Sequence, residues 1–123
     1  DIICTTTPST TPVLPDDKEL LRGKCIIAIG SYMPEMREIP DAVLDLVDNV
    51  YIELPYACEE SGDLSQPLAS GKLTKDRIKL MHEYLVSGEK EIKEGQTTYF
   101  KSVGMGLFDV CIAQKLYEVA KEK

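Results

Sequence analysis

The chain has 123 residues, 43% of them hydrophobic, which suits one globular domain with a buried core. Its net charge of −7, from 21 acidic and 14 basic residues, makes it a poor counterion for a phosphate backbone and argues against nucleic-acid binding. No apolar run approaches the ~20 residues of a membrane span, so a cytoplasmic protein without membrane contact is expected.

The first half of the chain predicts short strands separated by helical turns. Three segments rich in β-branched or apolar residues are expected to be strands: 1–7, 25–29 and 50–54. Two segments between them are expected to be helical, a turn around 18–21 that Gly23 ends and a helix from Pro40 to about Val47. Because the chain begins inside the first of these strands and has no initiator Met, a fragment or processed product is expected.

The second half continues the alternation. The expected elements are helical turns at 56–64, a surface connection at 67–73, a helix at 75–87 capped by Thr74, a charged turn at 89–95, a fourth strand at 97–103 and a helix from Met105 to about Lys121. Strands that alternate with helices predict a parallel sheet with crossover helices, and hence the α/β class.

The cysteines and the single histidine show no metal or redox motif. Cys4, Cys25, Cys58 and Cys111 are far apart, lack a C-x-x-C spacing and are expected to be buried reduced thiols. With His82 as the only histidine, neither a histidine-based metal site nor a base beside a nucleophile is supported. No metal ion is therefore expected.

The segment after the second strand is the expected position of the functional site. The run Ile26-Ile27-Ala28-Ile29 stops at Gly30 and opens into a polar loop. Ligands of open parallel sheets bind just outside the carboxyl ends of the strands. Residues 30–37 would lie at that edge, and so would the short hydroxyl side chains at 5–7.

Three segments resemble the ornithine cyclodeaminase/mu-crystallin family: DIICTTTPSTTPVL leading into CIIAIGSYMPEMRE, then CEESGDL, then FKSVGMGLFD. The resemblance implies a partial Rossmann-like domain, with residues 1–103 as the carboxyl-terminal half of an NAD(P)-binding domain and 104–123 as a closing helix. The glycine-rich phosphate loop, the catalytic lysine and the substrate-binding arginine of the family would lie upstream.

The resemblance also implies site residues. Thr6, Ala28, Ile29, Gly30 and Ser102 would contact the cofactor, NAD or NADP, and Val103 would contact the substrate. The residues themselves leave other interpretations open. The threonines could merely end the strand by bonding their own backbone, the strand residues could be core, and Ser102 could be a helix N-cap.

Tyr32 stands where cyclodeaminases of the family carry an aspartate. A phenol, with an ordinary pKa near 10, is a weak base at neutral pH but can donate a hydrogen bond. Cyclisation of ornithine by the usual route is therefore in doubt, whereas reduction of an imine is compatible with a tyrosine. A plain role as an anchor of the loop is the alternative.

The leading hypothesis is part of an NAD(P)-dependent enzyme that transfers hydride at a C–N centre of an amino acid or cyclic imine. The expected partners are this small molecule, the missing N-terminal part and a second copy of the parent in a homodimer. By itself, the chain is expected to be inactive. The alternatives are a crystallin-like binding protein without turnover and an independent small α/β interaction module.

Overall fold

The computed structural model describes residues 1–88 and 92–122, and strands and helices alternate along them. The elements are β1 Ile2–Thr5, α1 Lys18–Leu21, β2 Cys25–Ala28, α2 Asp41–Leu46, β3 Val50–Ile52, α3 Ala57–Glu60, α4 Gly62–Ser70, β4 Ile78–Leu80, α5 Met81–Ser87, β5 Thr98–Lys101 and α6 Gly106–Lys121. Residues 89–91 of the expected charged turn, and residue 123, lie outside the described residues.

The strands form one parallel sheet in the order β1-β2-β5-β3-β4. The expectation of a parallel sheet with crossover helices is confirmed. The last strand of the chain, β5, lies between β2 and β3, so the chain returns to the middle of the sheet before it enters α6. This return brings the residues after β5 beside those after β2 and β3.

One face of the sheet carries the hydrophobic core. Ile26, Val50 and Tyr99 are each 0% exposed and lie on that face at neighbouring register positions. Helices α2 and α4 cover it, with Val43 and Leu64 also fully buried in the same cluster. Burial of apolar surface on this face is the main driving force for the fold.

The opposite face of the sheet and helix α6 remain largely uncovered. Ile2 is 72% exposed and Cys4 is exposed, whereas parallel sheets ordinarily carry helices on both faces. Among the described strand residues on this face, only Tyr51 is buried, and the ring of Tyr84 from α5 lies against it with ring centroids 5.1 Å apart. Helix α6 has no buried residue, although its sequence is rich in large apolar side chains.

The expected helix at 75–87 is wrong in its first half. Residues 75–77 form a single 3-10 turn, and Ile78–Leu80 form the edge strand β4, parallel to β3. Only residues 81–87 are helical. The apolar pattern of residues 78–80 is compatible with a helix and with a strand. The strand forms because these residues pair with the edge of β3 that β5 leaves free.

Two smaller expectations also differ from the structure. The surface connection at 67–73 is helical as far as Ser70: α4 begins after Ser61, which accepts the backbone N–H of Asp63 at 3.2 Å, and ends at Gly71, whose φ is 76°. None of the four cysteines is fully buried: Cys4 and Cys111 are exposed, and Cys25 and Cys58 are half-buried free thiols. In residues 1–88 and 92–122, no helix is long and apolar enough to cross a membrane.

Candidate functional site at the carboxyl edge of the sheet

The ends of four strands lie side by side and define the carboxyl edge, formed by Thr6, Ile29, Ser102 and Glu53. Thr5 pairs with Ala28, Ala28 with Lys101, and Lys101 with Ile52, so the next residue of each strand emerges at the same level. Two backbone hydrogen bonds continue the ladder, from Ile29 N–H to the Thr5 carbonyl at 2.9 Å and from Ser102 N–H to the Ala28 carbonyl at 3.0 Å. The edge is therefore one continuous surface.

Glu38 joins the loops that follow β1 and β2. Its Oε2 accepts the Thr5 hydroxyl at 2.9 Å and the Gly30 N–H at 2.8 Å, and its Oε1 accepts the Thr7 N–H at 2.5 Å. The side chain is fully buried. Burial by itself raises the pKa of Glu38, but the hydrogen bonds from Thr7, Thr5 and Gly30 outweigh it and hold this pKa below its ordinary value.

Gly30 is required by this arrangement. A Cβ at this position would overlap the backbone N and O of Thr7 and would lie 2.6 Å from Glu38 Oε1. Only glycine lets the two loops approach this closely. The stop of the apolar run at Gly30 therefore has a steric cause.

Glu53 holds the loop that follows β5. Its Oε1 accepts the Ser102 hydroxyl at 2.8 Å, the Val103 N–H at 2.7 Å and the Gly104 N–H at 3.2 Å. Glu53 is 5% exposed, and its Oε2 has no hydrogen-bond partner among the described residues. One carboxylate oxygen thus fixes the whole Ser-Val-Gly turn.

Below the edge, Lys101 and Asp63 form a buried ion pair. Both side chains are 0% exposed, with Nζ and Oδ2 3.6 Å apart. Asp63 Oδ1 also accepts the N–H groups of Glu38 and Ile39 at 2.7 and 2.9 Å. Burial lowers the pKa of Lys101 and raises that of Asp63, in both cases against the attraction of the partner.

The structure brings five of the expected site residues together at the edge, with different accessibilities. Thr6 is exposed and Ile29 is 41% exposed. Gly30 is half-buried, with its N–H bonded to Glu38. Ala28 is 0% exposed and Ser102 is 7% exposed, so Ala28 lies under the surface that the others form. Their expected contact with a cofactor stays a prediction.

The other two expected residues flank the edge. Tyr32 is 49% exposed in the loop after β2, and Val103 is half-buried against the core after β5. The alternative that Ser102 caps the last helix is wrong, because α6 begins at Gly106 with Met105 at the N-cap position. The Ser102 hydroxyl instead bonds Glu53 and accepts the Gly104 N–H at 3.1 Å.

Four polar residues of the site were absent from the expectations: Glu38, Glu53, Asp63 and Lys101. Glu53 directly follows the buried run Val50–Ile52, and Lys101 directly precedes Ser102. A charged residue at the carboxyl end of a buried strand is the signal that could have singled them out. Nothing local in the sequence marks Glu38 as buried.

The exposed part of the edge combines a hydroxyl, an apolar side chain and backbone groups. It offers the short side chain of Thr6, the half-exposed Ile29 and the backbone of Gly104, where nothing lies within 4 Å of the position that a Cβ would occupy. Apolar walls with backbone polar groups are what a nicotinamide needs. No group of three or more His, Cys, Asp or Glu side chains in the described ranges could hold a metal ion.

Comparison with known proteins identifies the family to which the chain belongs. The sequence model of the ornithine cyclodeaminase/mu-crystallin family matches residues 1–123. The chain belongs to this family. Among curated proteins of the family, it is similar to Δ(1)-pyrroline-2-carboxylate reductase of Bacillus cereus (strain ATCC 10987 / NRS 248), with 38% identity over 126 residues. That alignment covers 100% of this chain and 38% of the relative, so the chain spans little more than a third of the curated relatives' length.

Solved structures of the family share the fold. A probable ornithine cyclodeaminase from Bordetella pertussis Tohama I superposes with a TM-score of 0.80 at 30% identity, over 99% of this chain and 40% of that one. Δ(1)-pyrroline-2-carboxylate reductase of Thermococcus litoralis, solved with NADH and L-proline, gives 0.75 at 25% identity, over 98% and 37%. The sheet is thus Rossmann-like, as expected.

Proposed function

We propose that these 123 residues form the nicotinamide-side wall of an NAD(P)-dependent imine reductase of the ornithine cyclodeaminase/mu-crystallin family. Its substrate would be a small cyclic imine bearing a carboxylate, or the corresponding amino acid. Bound NAD(P)H would supply a hydride to the imine carbon, with a proton from water to the nitrogen. The chain's own residues would orient the ring and limit access of water.

The observation that carries the proposal is the common level of Thr6, Ile29 and Ser102 along the carboxyl edge. Ligands of parallel α/β sheets bind there. Two buried carboxylates, Glu38 and Glu53, fix the loops of this edge by accepting six hydrogen bonds of 2.5–3.2 Å, three at each carboxylate. Such pre-organisation is what positioning a cofactor for hydride transfer requires.

Each expected site residue takes a role in the proposal. Thr6, Ile29, Gly30 and Ser102 would line the cofactor side, with Ala28 forming the floor, and Val103 would face the substrate. The division at residue 103 into a nucleotide-binding part and a closing helix belongs to the proposal as well. The phosphate loop, the catalytic lysine and the substrate-binding arginine would come from sequence outside these 123 residues.

Tyr32 favours reduction of a preformed imine over cyclisation of ornithine. Its half-exposed phenol lies in the loop that follows β2, where cyclodeaminases of the family carry an aspartate. A phenol can donate a hydrogen bond to a substrate but is a poor base at neutral pH. The same observation favours the second candidate, a crystallin-like protein that binds the nucleotide without turnover.

The test is an assay of the complete gene product. It should oxidise NADH or NADPH when Δ(1)-pyrroline-2-carboxylate is added, and residues 1–123 by themselves should not. Tight binding of NAD(P)H without turnover on cyclic ketimines would favour the second candidate. Absence of nucleotide binding would contradict both. A homodimer and a cytoplasmic location stay predictions for the complete protein.

A further inference from the structure

The two carboxylate oxygens of Glu53 have unequal surroundings. Oε1 accepts all three bonds from the Ser102–Gly104 turn, whereas Oε2 is buried without a hydrogen-bond partner among the described residues. A neutral amide at this position could hold the same turn. Leaving a buried carboxylate oxygen unpaired is costly, and it distinguishes Glu53 from Glu38, both of whose oxygens accept donors.

The charge of Glu53 is only partly compensated: it attracts the ammonium group of Lys101, which also attracts Asp63 and Glu38. The only buried cation near it in the described part of the chain, Lys101, lies 3.6 Å from Asp63 and makes no hydrogen bond to Glu53. The Lys101–Asp63 pair has no net charge whether both groups are ionised or both are neutral. Glu38 and Glu53 then leave a formal charge of −2 below the edge, from three carboxylates and one ammonium group.

We propose that Glu53 determines which redox form of the cofactor the edge prefers, by favouring the positively charged oxidised nicotinamide over the neutral reduced ring. The inference rests on the proposed function, since it needs the nicotinamide at this edge. A buried charge acts through a medium of low effective dielectric constant and is weakly screened by salt. An edge that stabilises a positive ring promotes hydride release, and hence the reductive direction.

The substitution Glu53→Gln tests the inference on the complete gene product. The amide oxygen can continue to accept from Ser102, Val103 and Gly104, and the amide nitrogen replaces the unpartnered oxygen. Dissociation constants for NAD+ and NADH, or for the phosphorylated pair if it binds more tightly, are measured by calorimetry. Glu83→Gln, at an exposed position on α5, is the matched control for loss of one negative charge.

We expect Glu53→Gln to weaken NAD+ binding relative to NADH by roughly fivefold or more, the order that one charge produces over ~10–15 Å at an effective dielectric constant of ~20. Glu83→Gln should leave the ratio unchanged. Glu53→Asp keeps the charge and shortens the reach, so it should weaken both forms while the ratio stays near that of the unmodified protein.

An equal loss of both forms in Glu53→Gln, or a ratio within twofold of the unmodified protein, would overturn the inference and leave Glu53 as an anchor of the turn. If Glu53→Gln does not fold, as judged by circular dichroism, Glu53→Ser serves as the neutral variant with the same expected shift. Failure of the unmodified protein to bind either form would instead contradict the proposed function itself.

Discussion

At the scale of single residues, two buried carboxylates decide the shape of the site. Glu38 and Glu53 accept backbone N–H and hydroxyl donors from loops that are distant in sequence. Hydrogen bonds to a charged acceptor are roughly twice as strong as neutral ones, and each buried donor would be left unpaired without its carboxylate. The edge is therefore held by side chains that need not contact a ligand themselves.

Gly30→Ala should lower the free energy of unfolding by about 3 kcal/mol, because the new Cβ meets backbone atoms of Thr7 that cannot move aside. Gly106→Ala is the control, since nothing lies within 4 Å of its Cβ position at the start of α6. Gly106→Ala should change the free energy of unfolding by no more than about 1 kcal/mol, and should raise it, because alanine favours the helix. Urea unfolding measures both, and equal stabilities would contradict the steric argument.

Glu38→Gln should cost about 2 kcal/mol at pH 7, because both carboxylate oxygens face donors and an amide nitrogen would oppose one of them. The folded-state pKa of Glu38 lies below the ordinary 4.5, so the unfolded state binds more protons as the pH falls through this range. The stabilisation is thus present above about pH 4.5 and is lost as the pH falls through the lowered pKa.

The difference in unfolding free energy between the unmodified protein and Glu38→Gln should therefore shrink below pH 4.5. Urea titrations at pH 7, 4.5 and 3.5 check this, with Glu59→Gln, an exposed carboxylate on α3, as the control. A difference that stays constant with pH would show that the charge of Glu38 does not matter.

At the scale of elements, α6 is a helix of which the described part of the chain buries no residue. Phe108, Ile112 and Leu116 recur on one side of the helix and are 47%, 62% and 66% exposed. A helix of 16 residues is marginally stable by itself, and most helical stability comes from packing. The apolar side of α6 is therefore left uncovered by the described residues.

Replacing Ile112 and Leu116 together by Ser should therefore change the unfolding free energy of residues 1–123 by less than about 1 kcal/mol. Leu64→Ala, at a fully buried position of α4, is the comparison and should cost about 3 kcal/mol. In the complete gene product the Ser pair should become clearly destabilising. Equal, small effects in both proteins would contradict a covered α6.

At the scale of the whole molecule, one face of the sheet is covered by helices and the other is largely bare. Ile2 and Cys4 lie exposed on the bare face. In a parallel sheet with helices on both faces, side chains at these positions would be buried. The β-branched runs predict strands buried on both faces, but within these 123 residues mainly the side chains on one face are buried. The chain spans 38% of the Bacillus cereus relative, which leaves ample sequence to cover this face in that protein.

Thiol labelling measures this cover directly. In residues 1–123, the exposed Cys4 and Cys111 should react with a maleimide faster than the half-buried Cys25 and Cys58. In the complete gene product, Cys4 and Cys111 should be protected at least tenfold if other parts of the protein cover the bare face and α6. Mass spectrometry measures the labelling rates, and equal rates in the two proteins would contradict that interpretation.

The local pattern of the sequence determined three features. The alternation of strands and helices gave the parallel α/β class, and the apolar run that ends at Gly30 gave β2. The residues that follow each strand gave the position of the site loops. Tertiary structure decided whether Ile78–Leu80 is strand or helix, because only the free edge of β3 distinguishes them. It also decided which charges are buried. Glu38, Glu53 and Lys101 look like surface residues until the insertion of β5 between β2 and β3 brings distant strand ends together, and that pairing is non-local.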